Sequence, residues 1–131
     1  MVEVKRSFNP EAIHEAIDGY ADVDMWDWVL NDRNVALTDG SENDGLFEQN
    51  SDGVFYGHYF FTSARGKSAL FLARAILSEM FDKYEAKIII GLTPEENRKA
   101  RWISRKLGMK DTGTEDGYVV YTLTKEDLED E

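Results

Sequence analysis

With 131 residues, 42% of them hydrophobic, and seven Phe, six Tyr and three Trp, the chain has the material for one domain with its own core. It contains no Cys, which excludes disulfides, thiolate zinc sites and a Cys nucleophile. A net charge of −11 disfavours nucleic acid, and the lack of a membrane-length apolar run or a signal-peptide core in MVEVKRSF leaves a soluble, cytoplasmic protein as the expectation.

In chain order, Val2-Glu3-Val4 alternates like a short strand, and Asn9-Pro10-Glu11 opens a helix with Asn as cap and Pro at its first position. A second short helix is predicted over residues 24–30. Strands follow at Asn34–Thr38 and 45–49, joined by the turn-forming Asp39-Gly40-Ser41-Glu42-Asn43. VFYGHYFF (Val54–Phe61) is almost entirely aromatic or β-branched, as a buried strand should be. The clearest helix covers residues 65–84, where Ala69, Leu72, Ala73, Ile76, Leu77 and Met80 share one face. KIIIGL (residues 87–92) is a further buried strand. Thr93-Pro94-Glu95-Glu96 reads as a capping box opening a helix that runs to Leu107 and stops at Gly108. YVVYTLT (residues 118–124) closes the sheet, and residues 125–131 form an acidic, frayed tail beyond a single domain of residues 1–124. The order is β-α-α-β-β-β-α-β-α-β, a chain of α/β (α+β) class with a mixed sheet.

The charge is unevenly distributed. Residues 65–110 hold eleven basic and five acidic residues, whereas the remainder holds four basic and 21 acidic ones. A cationic module in an acidic chain suits a compact phosphate ligand, although solvated helix faces would give the same pattern. Arg65-Gly66-Lys67-Ser68 lies where it matters, between a buried strand and a helix N-terminus. There backbone N–H groups and the helix dipole can cradle a pyrophosphate, glycine lets the backbone approach it, and Arg65 and Lys67 add charge. On the following helix Asn97, Ala100 and Ser104 share one face, and Gly108 ends it.

Over residues 53–110 this arrangement resembles the GNAT superfamily of N-acetyltransferases. Its members show Q/R-x-x-G-x-G/A at the first turn and N-x-x-A-x-x-x-Y-x-k-x-G-F on the second helix. Asn97, Ala100, Leu107 and Gly108 match at that spacing, with Met109 for the usual Phe. Two departures stand out: Ser68 replaces the second loop Gly, and Ser104 replaces the Tyr that protonates the departing thiolate. A serine hydroxyl is a far weaker acid than a phenol. A Ser at the loop position requires that its φ not be strongly positive.

The resemblance implies a GNAT fold in which the strand ending at Phe60-Phe61-Thr62 splays from residues 87–92. Acetyl-CoA would be the co-substrate, with its pantetheine arm between these strands, and no metal would be needed. Arg65, Gly66, Lys67, Ser68, Asn97 and Ala100 would complete the cofactor site. An amine would be the acceptor, with His58 or Glu48 as the base and backbone donors stabilising the oxyanion. His58 could equally be a hydrogen-bonded histidine of an aromatic strand. Trp102 could stack on adenine or sit half-buried on the surface, and Arg98, Arg101 and Arg105 could reach the 3′-phosphate or be solvated. Trp26 and Trp28, near Asp22, Asp24 and Asp27, fit either recognition of a cationic amine or packing over the sheet. A second reading, suggested by the short chain, altered loop and missing Tyr, is a non-catalytic GNAT-fold protein. It resembles those encoded among bacteriophage structural genes, a virion or head-assembly component partnered by phage proteins or by a second copy of itself.

Overall fold

The computed structural model describes residues 4–7, 31–40, 43–61 and 65–129, with only the backbone of residues 59–61 and 129. The two helices expected before residue 31 lie outside the described residues, as do Val2, Glu3 and Thr62. Among the described residues seven strands form one sheet: β1 (Lys5–Arg6), β2 (Asn34–Thr38), β3 (Asn43–Ser51), β4 (Val54–Phe61), β5 (Ile88–Pro94), β6 (Lys110–Glu115) and β7 (Tyr118–Leu123). They lie in the order β1-β2-β3-β4-β5-β7-β6. Every neighbouring pair is antiparallel except β4 and β5, which are parallel and joined through helix α1 (Gly66–Lys83). Helix α2 (Arg98–Lys106) links β5 to β6, and α3 (Lys125–Glu129) follows β7.

Hydrophobic burial drives α1 onto the sheet. Its expected stripe is buried throughout, extended by Phe81, and Ile76, Leu77 and Met80 retain no exposure. Side chains alternate along strands, so Gly45, Phe47 and Phe55 face α1 while Asp44, Leu46, Glu48, Tyr56 and His58 lie on the opposite face. A Cβ at Gly45 would sit 3.0 Å from Ile76 Cγ2, which is how closely the helix approaches β3. Leu107, Met109, Val119, Tyr121 and Leu123 complete the same core. Helix α2 lies on this face as well. Arg74 of α1 donates to the Lys106 carbonyl (3.3 Å), and Arg101 donates to the Tyr121 hydroxyl (3.3 Å).

The first described strand pairs with β2 at Lys5 and Arg6, and of the strand expected at residues 2–4 only Val4 is described. Three expectations are corrected. Thr93 and Pro94 do not open a helix: they continue β5, opposite Val119 and Tyr118, and Glu95 N–H donates to Gly117 O (3.0 Å). The cap of α2 is Asn97, whose Oδ1 accepts the Ala100 N–H at 3.1 Å. Next, Lys110–Glu115 is a strand that sequence periodicity does not reveal. It is exposed at all six positions and joined to β7 by Asp116-Gly117, both left-handed (φ 52 and 83) as a two-residue hairpin requires. Finally, Lys125–Glu129 is helical, not frayed. Thr124 and Asp127 cap it reciprocally (3.2 and 3.3 Å), and Leu128 is buried against the core.

Candidate functional site

The parallel pairing of β4 and β5 is short. It runs through Val54–Ile88, Phe55–Ile89 and Tyr56–Ile90 and then ends, although both strands continue to Phe61 and Pro94. From Gly57 and Gly91 onward each strand keeps only its outer partner, β3 or β7. The opening between them is part of a cavity of about 810 Å³. Gly57 marks the point of divergence. A Cβ there would stand 2.9 Å from the Phe47 ring and 3.3 Å from Ile89 Cγ2, and Phe47 has no exposed surface into which to move.

The cavity is walled from both faces of the sheet. On the helical face it meets Ala69 and Ala73 of α1, Ala100, Ile103 and Ser104 of α2, and Met109. On the other face it meets His58, Leu92 and Tyr118. At its outer end stand Arg65, Gly66, Asn97, Arg98 and Lys99, all exposed. The wall therefore changes from small, buried and apolar inside to basic outside. Such a gradient fits a ligand with a thin apolar arm and an anionic head.

The basic turn has the expected local form. Arg65 is extended (φ −140, ψ 154) and Gly66 enters α1 with φ +56, a conformation that favours glycine. Nothing among the described residues lies within 4 Å of where its Cβ would be, so the backbone is open to a close-lying ligand. Ser68 is not among the positive-φ residues, which removes the conformational objection to serine in the loop. Lys67 and Ser68 are exposed in the first turn of α1 but do not line the cavity wall.

Of the other residues picked from the sequence, His58, Asn97, Ala100 and Ser104 converge on the cavity. Ser104 is 9% exposed. Burial holds the His58 pKa below the ordinary imidazole value, with the nearby Glu48 carboxylate opposing that shift. His58 is thus the neutral base form at neutral pH. Glu48 itself lies on β3 opposite Tyr56, exposed and off the cavity wall. Phe60 and Phe61 belong to the end of β4 that pairs with β3 but no longer with β5, at the edge of the gap between β4 and β5. Arg101 is turned away from the cavity, held by the Tyr121 hydroxyl and the Glu95 carbonyl (3.2 Å), so the three-arginine stripe divides. Tyr118 and Leu92 are wall residues that sequence reasoning missed. The Asp116-Gly117 pair was the available signal, because recognising its hairpin sets the β7 register and brings Tyr118 beside Pro94.

No protein-family model and no curated protein sequence matches the chain. Solved structures do. Vibrio cholerae spermidine/spermine N-acetyltransferase SpeG superposes with a TM-score of 0.76 at 10% identity, covering 98% of this chain and 96% of that one. Campylobacter jejuni N-acetyltransferase PseH in complex with acetyl coenzyme A gives 0.71 at 10% identity, covering 94% and 99%. Mycobacterium smegmatis RimJ in complex with CoA-disulfide gives 0.61 at 18% identity over 73% of this chain, which spans 55% of the RimJ chain. The likeness establishes the fold: this chain has the mixed α+β architecture of the GNAT acetyltransferases.

Proposed function

We propose that this protein binds acetyl-CoA between β4 and β5 and transfers its acetyl group to an amine. The observation that carries the reading is the end of β4–β5 pairing after Tyr56 and Ile90, with a cavity of about 810 Å³ entering the gap beside a basic helix N-terminus. The β5-facing edge of residues 57–61, where β4 pairs with β3 but no longer with β5, offers the pantetheine arm the hydrogen bonds of an added strand, and Thr62 would contact the arm on the family pattern. Arg65 and Gly66 would take the pyrophosphate, with Lys67 and Ser68 adding charge and N–H groups from the first turn of α1. Open space at Gly66 and the cationic outer wall fit that anion. Asn97 stabilises the start of α2, and Ala100 leaves room beside it for the arm.

Acetyl-CoA supplies the activated acyl carbon, and the chain's residues position it and manage one proton. His58, neutral and on the face opposite α1, accepts that proton from the attacking amine. Glu48, the second candidate base, lies off the cavity wall and bears on the proton only through its charge on His58. Ser104 lies on the cavity wall where the family pattern places a phenol, so the thiolate takes its proton from water or from a group other than Ser104. The buried serine also favours a second reading, in which the protein binds acyl-CoA without turning it over. Calorimetric titration with acetyl-CoA, followed by thiol release with a panel of amines, separates the two. Saturable binding with turnover supports the first, and binding without turnover supports the second. Absence of binding at millimolar acetyl-CoA refutes both.

A further inference from the structure

Trp102 is large and apolar, yet 39% exposed, and it forms part of the cavity wall on the outer side of α2. On a helix its surface neighbours are the residues three and four positions away, which here are Arg98, Lys99, Arg105 and Lys106. All four are basic and exposed, and the Lys106 ammonium stands 6.0 Å from the indole centroid. Helix α2 carries five basic and no acidic residues in nine positions, within a chain of net charge −11. Arg101 alone among the five is engaged with the sheet side, through Tyr121 and Glu95. An exposed indole ringed by cations suits a ligand that is at once a flat ring and a polyanion. With the Lys106 ammonium over one face of the indole, the opposite face is the one for stacking, and the cations neutralise the phosphate beside it.

We infer that Trp102 is the stacking platform for the adenine of the coenzyme and that the surrounding Lys99 and Lys106 select for its ribose 3′-phosphate. This rests on the acetyl-CoA reading but assigns the nucleotide end to residues that the splayed strands do not involve. Because Arg98 and Lys99 line the same cavity as Ser104, one continuous wall runs from the apolar interior to the platform. Removing the ring removes a stacking contact only. Removing the lysines reduces the advantage of the extra phosphate.

The test uses calorimetric titration of the full chain with four probes: CoA, dephospho-CoA, 3′,5′-ADP and 4′-phosphopantetheine. Trp102→Ala should weaken 3′,5′-ADP and CoA by at least about tenfold while 4′-phosphopantetheine stays within about twofold. Trp102→Phe should recover most of that loss, because a phenyl face still stacks. Lys99→Gln with Lys106→Gln should reduce the preference for CoA over dephospho-CoA toward unity. Unchanged 3′,5′-ADP binding in Trp102→Ala, or an equal loss for 4′-phosphopantetheine, overturns the platform. Failure of 4′-phosphopantetheine to bind the wild type while 3′,5′-ADP binds refutes the β4–β5 cleft reading instead, leaving the platform standing.

Discussion

Gly66→Asp places a carboxylate at the turn proposed to hold the pyrophosphate, in a position where the fold should tolerate it. Gly66 is exposed, and no described atom lies within 4 Å of its Cβ position, so nothing need move. Its φ of +56 costs an L-residue about 1 kcal/mol, less for Asp than for most because Asp visits this region readily. Seven buried residues of α1 outweigh that strain, so the domain should stay folded with a slightly lower Tm. Binding should suffer more. A unit charge about 6 Å from a bound phosphate, at an effective dielectric of about 40, costs roughly 1.4 kcal/mol, or about tenfold in Kd. Gly66→Ala carries the strain without the charge and should lose less. The gap between the two variants should narrow in about 1 M salt, where exposed charges are screened within about 3 Å. Titration calorimetry with acetyl-CoA and thermal unfolding measure both quantities. A folded Gly66→Asp that binds as tightly as wild type would refute the pyrophosphate assignment.

Leu72→Ala or Ile76→Ala, each removing a buried side chain between α1 and the sheet, should cost about 2–5 kcal/mol by denaturant unfolding, and less than about 0.5 at both would contradict the packing. His58→Gln should lower kcat/KM by about 10²–10⁴, with the wild-type acid limb lying below pH 6.5 because burial favours the neutral ring. A limb above 6.5 would exclude His58 as the base. Ser104→Ala should leave kcat nearly unchanged, whereas Ser104→Tyr should raise it if only the acid is missing; abolition of turnover by Ser104→Ala would show the serine to be essential. Asp44 is buried on β3, and desolvation, with Asp39 adding, raises its pKa from 3.8 to about 6 despite a hydrogen bond with Thr38. Its folded pKa exceeds the unfolded one, so its contribution is most favourable below about pH 4 and is lost as pH rises through 6. Asp44→Asn should therefore gain stability relative to wild type across that window, on the order of 2–3 kcal/mol by pH 8 in chemical denaturation, and a pH-independent difference would contradict the assignment.

Sequence alone determined the elements whose physics is local. VFYGHYFF is almost entirely β-branched or aromatic, and its strand boundaries agree with the structure. The apolar stripe of residues 69–80 repeats at helical spacing, so α1 and its buried face were legible, as were the basic turn before it and the Asn97, Ala100 and Ser104 face of α2. Only tertiary structure decided elements that depend on distant partners. Thr93-Pro94-Glu95-Glu96 has the chemistry of a helix start, but β7 pairs with Thr93 and Pro94, and that ladder outweighs a local cap. Lys110–Glu115 has no apolar period because it is an exposed edge held by β7 backbone. The site followed the same division. Its residue types could be read along the chain, but its shape could not. The gap opens because β4 and β5 stop pairing at Gly57 and Gly91, where the Phe47 ring fills the space beneath Gly57. Likewise Arg101 turns to Tyr121 and Trp102 to the cavity because α2 has one rotational setting against the sheet, which only the packed core selects.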